Sequence, residues 1–302
     1  MRKDKLRAGK FPVDAALVGR LVAAQFPHWA HLPVRPVATD GWDNWTFHLG
    51  DTMKVRLPSA EAYAAQAEKE ARWLPYLAPH LPVAVPAPLG LGHPAEGFPW
   101  AWTVYDWLAG APVIREGIAE NVQLARDVAT FLRALQDIDA TGGPPPGTHN
   151  FHRGAPPVRV YGDEARRCID SLGSAIDGAA AHRLLDDAAA THWNVAPVWV
   201  HGDIAAGNLL LRDGRLAAVI DFGCLAVGDP ACDLVIAWLV FADDSRAAFR
   251  DAIGADAGCW VRARAWALWK AALALSTGGV THPAEAPPLA VIETVLAEHA
   301  SG

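Results

Sequence analysis

The sequence predicts an α+β protein of two lobes. A small antiparallel five-stranded lobe with one helix is expected over residues 1–107, and a larger, mainly helical lobe over 108–302. Three observations predict this. Short β-branched and aromatic runs, punctuated by Gly, Pro, Asn and Asp, crowd into 34–107. Apolar residues at helical spacing dominate after Gly110. Between the later helical segments lies one compact strand-turn-strand block, 198–220, flanked by acidic and amide residues.

The elements follow in order. Residues 13–24 read as a helix with Leu17, Leu21 and Val22 on one side. Strands are expected at 34–39, 45–49 and 53–57, the last two joined by Gly50-Asp51. The connection 40–44 holds a single glycine, Gly41, and reads equally as an ordinary turn or as a loop whose backbone N–H groups cover phosphates. In 53–57 the alternation puts Lys54 and Arg56 on one face, Val55 and Leu57 on the other. Pro58-Ser59 signals a helix over 60–74, with Tyr63, Ala67, Glu70 and Leu74 on one stripe. A glutamate among apolar neighbours needs a cation, which Arg56 or Lys54 would supply; Glu68 competes for that place, and a solvated Glu-Lys-Glu face is the alternative. Strands at 86–92 and 100–107 follow, and 108–110 breaks the pattern. A nucleotide base would meet backbone near Val104, Tyr105 and Asp106.

Beyond the break, 116–138 is a long amphipathic helix carrying Val122, Val128, Phe131, Leu132 and Leu135. Residues 141–160, rich in proline and glycine, read as a loop in which His149 and His152 are surface residues. Helices are expected at 163–176 and 181–191, then the block that begins at 198, and helices again at 261–275 and 287–298. Gly228-Asp229-Pro230 closes a loop at a helix start, with Asp233 one turn in.

Composition bounds the function. With 52% apolar and 20% charged residues the chain is globular, and its net charge of −7 disfavours nucleic acid as a partner. The same charge suits a cationic acceptor, and equally suits solubility. Met1-Arg2-Lys3-Asp4-Lys5 is basic, but no apolar stretch follows, and 234–241 is too short to span a bilayer. A cytoplasmic monomer or homodimer without membrane association is therefore expected. Cys168, Cys224, Cys232 and Cys259 form no C-x-x-C pair and read as free thiols. Most of the thirteen tryptophans should be core, with a few lining a pocket.

The chemistry concentrates in 201–223. His201-Gly202-Asp203, four residues, Asn208, and then Asp221-Phe222-Gly223 set one carboxylate to accept a hydroxyl proton. An amide and a second carboxylate are set to hold Mg2+ against a nucleoside triphosphate. Asp213-Gly214 is a two-residue hairpin turn, because both positions favour positive φ. If Arg212 faces Arg215, counting back sets Asn208 opposite Val219, with Asp221 two residues on along the same face. Such a diagonal pair has Cβ atoms about 7–8 Å apart, and a magnesium with ligands at about 2.0–2.1 Å fits between them.

On His201-Gly202-Asp203…Asn208…Ile220-Asp221-Phe222-Gly223…Gly228-Asp229-Pro230…Asp233, the chain resembles the aminoglycoside phosphotransferase family, the antibiotic-kinase branch of the protein-kinase-like fold. The resemblance runs from about residue 34 to 275. It implies a bilobal protein-kinase-like fold, ATP or GTP as donor and Mg2+. It also implies Asp203 as catalytic base, Asn208 and Asp221 as metal ligands and His201 as a brace. Asp229 and Asp233 would fix the loop or lean toward the acceptor. The family's usual phosphate-pairing lysine is replaced by Arg56, with Lys54 two residues earlier.

The implied reaction moves the γ-phosphoryl group to a hydroxyl of a small molecule, most naturally an aminoglycoside or another cationic or bulky antibiotic. Acids after the metal site (Asp233, Asp243, Asp244) and tryptophans on later helices (Trp238, Trp266, Trp269) are the acceptor candidates; solvated helix ends and core packing explain them as well. A macrolide or peptide-antibiotic kinase and a choline or homoserine kinase are alternatives within the fold. An inactive nucleotide-binding module is a rival from another class. A protein kinase is disfavoured, since no Ala-Pro-Glu follows and four residues separate Gly223 from Gly228.

Overall fold

A computed structural model describes residues 2–38, 40–113, 117–279 and 281–301. The chain divides into two compact units: Met1–Pro79 with Ala84–Ala109 and Asp221–Gly223, and His80–Val83 with Gly110–Ile220 and Cys224–Gly302.

The first unit contains α1 (Arg2–Arg7), α2 (Ala15–Gln25), β1 (Val34–Pro36), β2 (Asn44–Leu49), β3 (Met53–Pro58), α3 (Ala65–Leu77), β4 (Pro88–Gly92) and β5 (Trp102–Asp106). The five strands form one antiparallel sheet in the order β1-β2-β3-β5-β4. Alternation builds its core: Trp45, Phe47 and Leu49 of β2, Val55 and Leu57 of β3, and Trp102 and Val104 of β5 pack with Val18, Leu21 and Val22 of α2. Each such buried side chain contributes about 1.5–3 kcal/mol. α2 starts at 15 because the Asp14 carboxylate accepts the Leu17 N–H at 2.8 Å. The opposite face of β3 and β5 carries Lys54, Arg56 and Tyr105, and α3 lies there.

Among the described residues, α1 accompanies this sheet in addition to the two helices expected at 13–24 and 60–74. α1 was hidden by its charges. Lys5, fully buried, donates to Asp40 Oδ2 at 2.9 Å and to the Asn44 carbonyl at 2.7 Å, over the Trp45 ring. β1 ends at Pro36; Thr39, the expected end, lies outside the described residues.

The second unit contains β6 (Ala111–Pro112), α4 (Val122–Gln136), α5 (Pro157–Leu172), α6 (Gly178–Ala190), β7 (Val198–Val200), β8 (Leu209–Arg212), β9 (Arg215–Val219) and β10 (Ala226–Gly228). It ends with α7 (Ile236–Leu239), α8 (Asp243–Ile253), α9 (Ala257–Thr277) and α10 (Pro288–Ala300). α9 is its axis, packing against α5, α6, α10 and the 3-10 turn Pro230–Val235. It is buried on nearly every side, and Asp256 caps its start by accepting the Cys259 N–H. α4 begins later than expected because Asn121 caps it at the Leu124 N–H; Glu116 lies outside the described residues. α5 begins inside the expected loop, because Pro157 suits the first helical position.

The hairpin β8–β9 corrects a register. Asp213 and Gly214 have φ of +53° and +75°, and Arg212 faces Arg215. Between them and the base of the hairpin, Ala217 is an extra residue: Leu211 faces Leu216, but Leu210 faces Ala218. Leu209, not Asn208, therefore opposes Val219, and Ile220 N–H donates to the Asn208 carbonyl. Among the described residues no helix is long and apolar enough to cross a membrane.

Candidate active site

In the first unit, β3 presents Arg56 and α3 presents Glu70. The guanidinium lies 3.2 Å from Glu70 Oε2 and 2.7 Å from Asp221 Oδ1. Tyr105 donates its hydroxyl to Glu70 Oε2 at 2.5 Å. Burial works against the charge of Arg56, but Asp221 and Glu70 outweigh it and raise its pKa. Burial pushes the Glu70 carboxyl up, opposed by Arg56. Glu68 is exposed and takes no part. Lys54 is buried, forms no ion pair among the described residues, and its pKa is lowered to about 8 by burial and then by Arg56. Lys69, which the alternative of a solvated Glu-Lys-Glu face would expose, is buried and donates to the Gly223 carbonyl at 2.7 Å. α3 buries a stripe wide enough to take in Gln66 and Lys69 beside Glu70, two residues that the stripe of Tyr63, Ala67, Glu70 and Leu74 leaves out.

The expected base contacts need correction. β5 is an interior strand, so the backbone of Val104 and Tyr105 belongs to its ladders with β3 and β4. Asp106 N–H donates to the Ala87 carbonyl, and Trp107 N–H to the Thr52 carbonyl. The backbone beyond Asp106 lies outside these two ladders. Gly41 has open space where a Cβ would stand and φ outside the left-handed region, so no close approach there demands glycine.

In the second unit the loop 201–208 is braced from below. His201 is fully buried; its Nδ1 accepts the Asp203 N–H at 3.2 Å, which assigns the proton to Nε2 facing the Ile220 carbonyl at 3.1 Å. Asp233 accepts the N–H groups of His201 and Gly202 at 2.8 and 2.7 Å. Burial raises its carboxyl to about 7, opposed by those two N–H groups. Gly202 has φ of +83°, and an added Cβ would stand 2.5 Å from the Cys224 carbonyl oxygen. Asn150, which the sequence reading missed, is buried and ties the Arg153 and Cys224 carbonyls together through Nδ2. Asn208 Nδ2 donates to the Asp203 carbonyl at 2.8 Å and to Asp203 Oδ2 at 3.2 Å.

Above this brace the Asp203 carboxylate opens into a recess lined by Arg153, Cys232, Val235, Trp266, Trp269 and Lys270. Lys270 Nζ lies 3.8 Å from Asp203 Oδ1. The signal for Lys270 was in the sequence: Trp266, Trp269 and Lys270 stand at i, i+3 and i+4. Trp238 is not part of this recess. It is 2% exposed and donates Nε1 to Glu298. Asp229 is held by Arg262 at 2.6 Å and caps the turn at Ala231, so it too faces inward. Asp243 and Asp244 stand in the first turn of α8, outside the recess.

Asn208 and Asp221 are hard oxygen donors of the kind magnesium takes. Asn208 directs Nδ2 toward Asp203, which leaves its amide oxygen as the ligand atom. Asp221 has φ of +66° and a half-exposed side chain with Oδ1 held by Arg56. Each of the two side chains thus offers an oxygen of a kind that suits the ion.

A model of the phosphotransferase enzyme family matches residues 34–269. Among solved structures, the GDP complex of wild-type aminoglycoside 2'-phosphotransferase-IIIa is 18% identical, with a TM-score of 0.67 over 95% of this chain and 100% of that one. The streptomycin-ATP-APH(2")-IIa ternary complex is 17% identical, with a TM-score of 0.60 over 97% of each chain. The macrolide 2'-phosphotransferase MphH from Brachybacterium faecium is 24% identical, with a TM-score of 0.56 over 95% of this chain and 97% of that one. No curated protein matches.

Proposed function

This chain belongs to the phosphotransferase enzyme family, and from that premise we propose that it transfers the γ-phosphoryl group of ATP or GTP, with Mg2+, to a hydroxyl of a small molecule. We assign nucleotide binding to residues 1–107 and catalysis with acceptor binding to 108–302. The observation that carries the reading is Asp203: a partly exposed carboxylate, facing a recess, on a loop fixed by His201 and Asp233.

Asp203 accepts the acceptor's proton as the acceptor oxygen bonds to the γ-phosphorus. The bond from that phosphorus to the bridging oxygen breaks, and a nucleoside diphosphate leaves. The Asn208 amide, donating to Asp203 Oδ2, orients the carboxylate for that proton. Asn208 and Asp221 would hold magnesium, which when bound neutralises charge on the phosphates. Arg56, kept charged and aimed by Glu70 and Tyr105, is the cation we assign to the phosphates. The Trp107 carbonyl and the Leu108 backbone are assigned to the base.

At 17–24% identity the solved relatives carry the fold and leave the acceptor open. The expectation of an aminoglycoside or macrolide therefore stands or falls on an acceptor screen. Replacing Asp203 by Ala should lower turnover roughly 10²-fold or more, with nucleotide affinity by calorimetry retained. Near-normal turnover in that variant removes Asp203 from the base role. An inactive module is separated by magnesium-dependent nucleotide hydrolysis without acceptor, which only an active phosphotransferase displays.

A further inference from the structure

The recess beside Asp203 is rich in donors and poor in acids. Lys270 Nζ stands 3.8 Å from Asp203 Oδ1. The Arg153 guanidinium forms no ion pair among the described residues; it lies 4.9 Å from the rings of both Trp266 and Trp269, and its buried Nε has no hydrogen-bond partner. Trp266, 1% exposed, is another lining residue, and its buried indole N–H has no hydrogen-bond partner. A buried donor without an acceptor is costly unless a ligand provides one.

The other carboxylates around the recess have donors of their own. Asp233 accepts two backbone N–H groups, Glu164 accepts the Trp269 indole N–H at 2.7 Å, and Glu285 in the adjoining cavity accepts the Ala206 N–H at 3.3 Å. Asp203 is thus the one carboxylate in the lining, against two cations and an unused indole N–H. A polycation would bring ammonium groups against Arg153 and Lys270, where like charges repel.

We infer that the acceptor is a small hydroxy compound bearing an oxyanion, carboxylate or phosphate, which Arg153, Lys270 and the Trp266 indole N–H bind while Asp203 faces its hydroxyl. This assignment rests on the phosphotransfer reading above. It makes Lys270 a specificity residue that bridges the anion and the base, and it disfavours the cationic antibiotics that the sequence suggests.

The test offers the full chain, with magnesium and radiolabelled ATP or GTP, four acceptors of graded charge: D-glycerate, glycerol 3-phosphate, glycerol and kanamycin. At least one acid should exceed glycerol and kanamycin tenfold in kcat/KM, and the two acids separate carboxylate from phosphate. Lys270→Glu should lose that preference through KM, with the fold checked by thermal melting. Equal or better turnover of kanamycin or glycerol overturns the assignment while leaving phosphotransfer intact. The same four compounds are titrated by tryptophan fluorescence, which reads the recess without chemistry. Anions that bind no more tightly than glycerol there overturn the assignment as well. Tight anion binding without magnesium-dependent nucleotide hydrolysis supports the recess and instead refutes the phosphotransfer reading.

Discussion

Gly202 stands between His201 and Asp203 at φ +83°, with no room for a Cβ against the Cys224 carbonyl. Gly202→Ala should therefore cost roughly 2 kcal/mol or more, read by denaturant unfolding, from left-handed strain plus the clash. A variant as stable as the parent would mean that the loop relaxes freely. Arg56 is constrained differently: its fork reaches Glu70 and Asp221 at once, which a lysine's single ammonium does less well. Arg56→Lys should raise the nucleotide KM about tenfold; an unchanged KM would shift the phosphate role to Lys54. The residue types at 201, 203, 208 and 221 were legible because few other chemistries use that spacing. Lys69, Asn150 and Arg153 were not, since their burial and partners come from segments distant in sequence.

At the scale of elements, the turn of the β8–β9 hairpin was readable from Asp213-Gly214, but its register was not. A bulge arises when one strand carries a residue that the pairing cannot absorb, and Ala217 has no side-chain signature for it. Deleting Ala217 should restore an uninterrupted ladder that keeps Leu209 opposite Val219 and removes only the bend and added twist of the bulge. We expect that variant to fold but to lose magnesium-dependent nucleotide binding, by calorimetry with and without the ion. Retained binding would show that the bulge does not set the metal ligands. Helix starts tell a similar story. Asn121 and Asp256 are cap residues visible in the sequence, yet the periodicity of the apolar residues alone placed the starts several residues away.

At the scale of the whole molecule, stability at alkaline pH should carry the mark of Lys54. Its folded pKa, about 8, lies below the ordinary value of 10.5. Between those values the unfolded chain binds more protons, so stability rises with pH from about 8 to 10.5. Below pH 8 the buried ammonium costs the nucleotide-free protein roughly 3 kcal/mol, from 2.5 pH units at about 1.36 kcal/mol each. Lys54→Met should raise the melting temperature at pH 7 and flatten its rise above pH 8. A melting temperature unchanged at pH 7 would mean that the ammonium already reaches solvent.

The sequence by itself determined the class of fold, the five strands, and the residue types to which we assign phosphoryl transfer, because periodicity and spacing are local properties of the chain. Only the tertiary structure decided what surrounds them. It enclosed Trp238 and Asp229 that a linear reading had aimed at an acceptor, and brought Arg153, Trp266 and Lys270 to the recess beside Asp203. Charge at a pocket is a sum over residues far apart in sequence, each weighted by its partners, and a linear pattern holds no record of that sum.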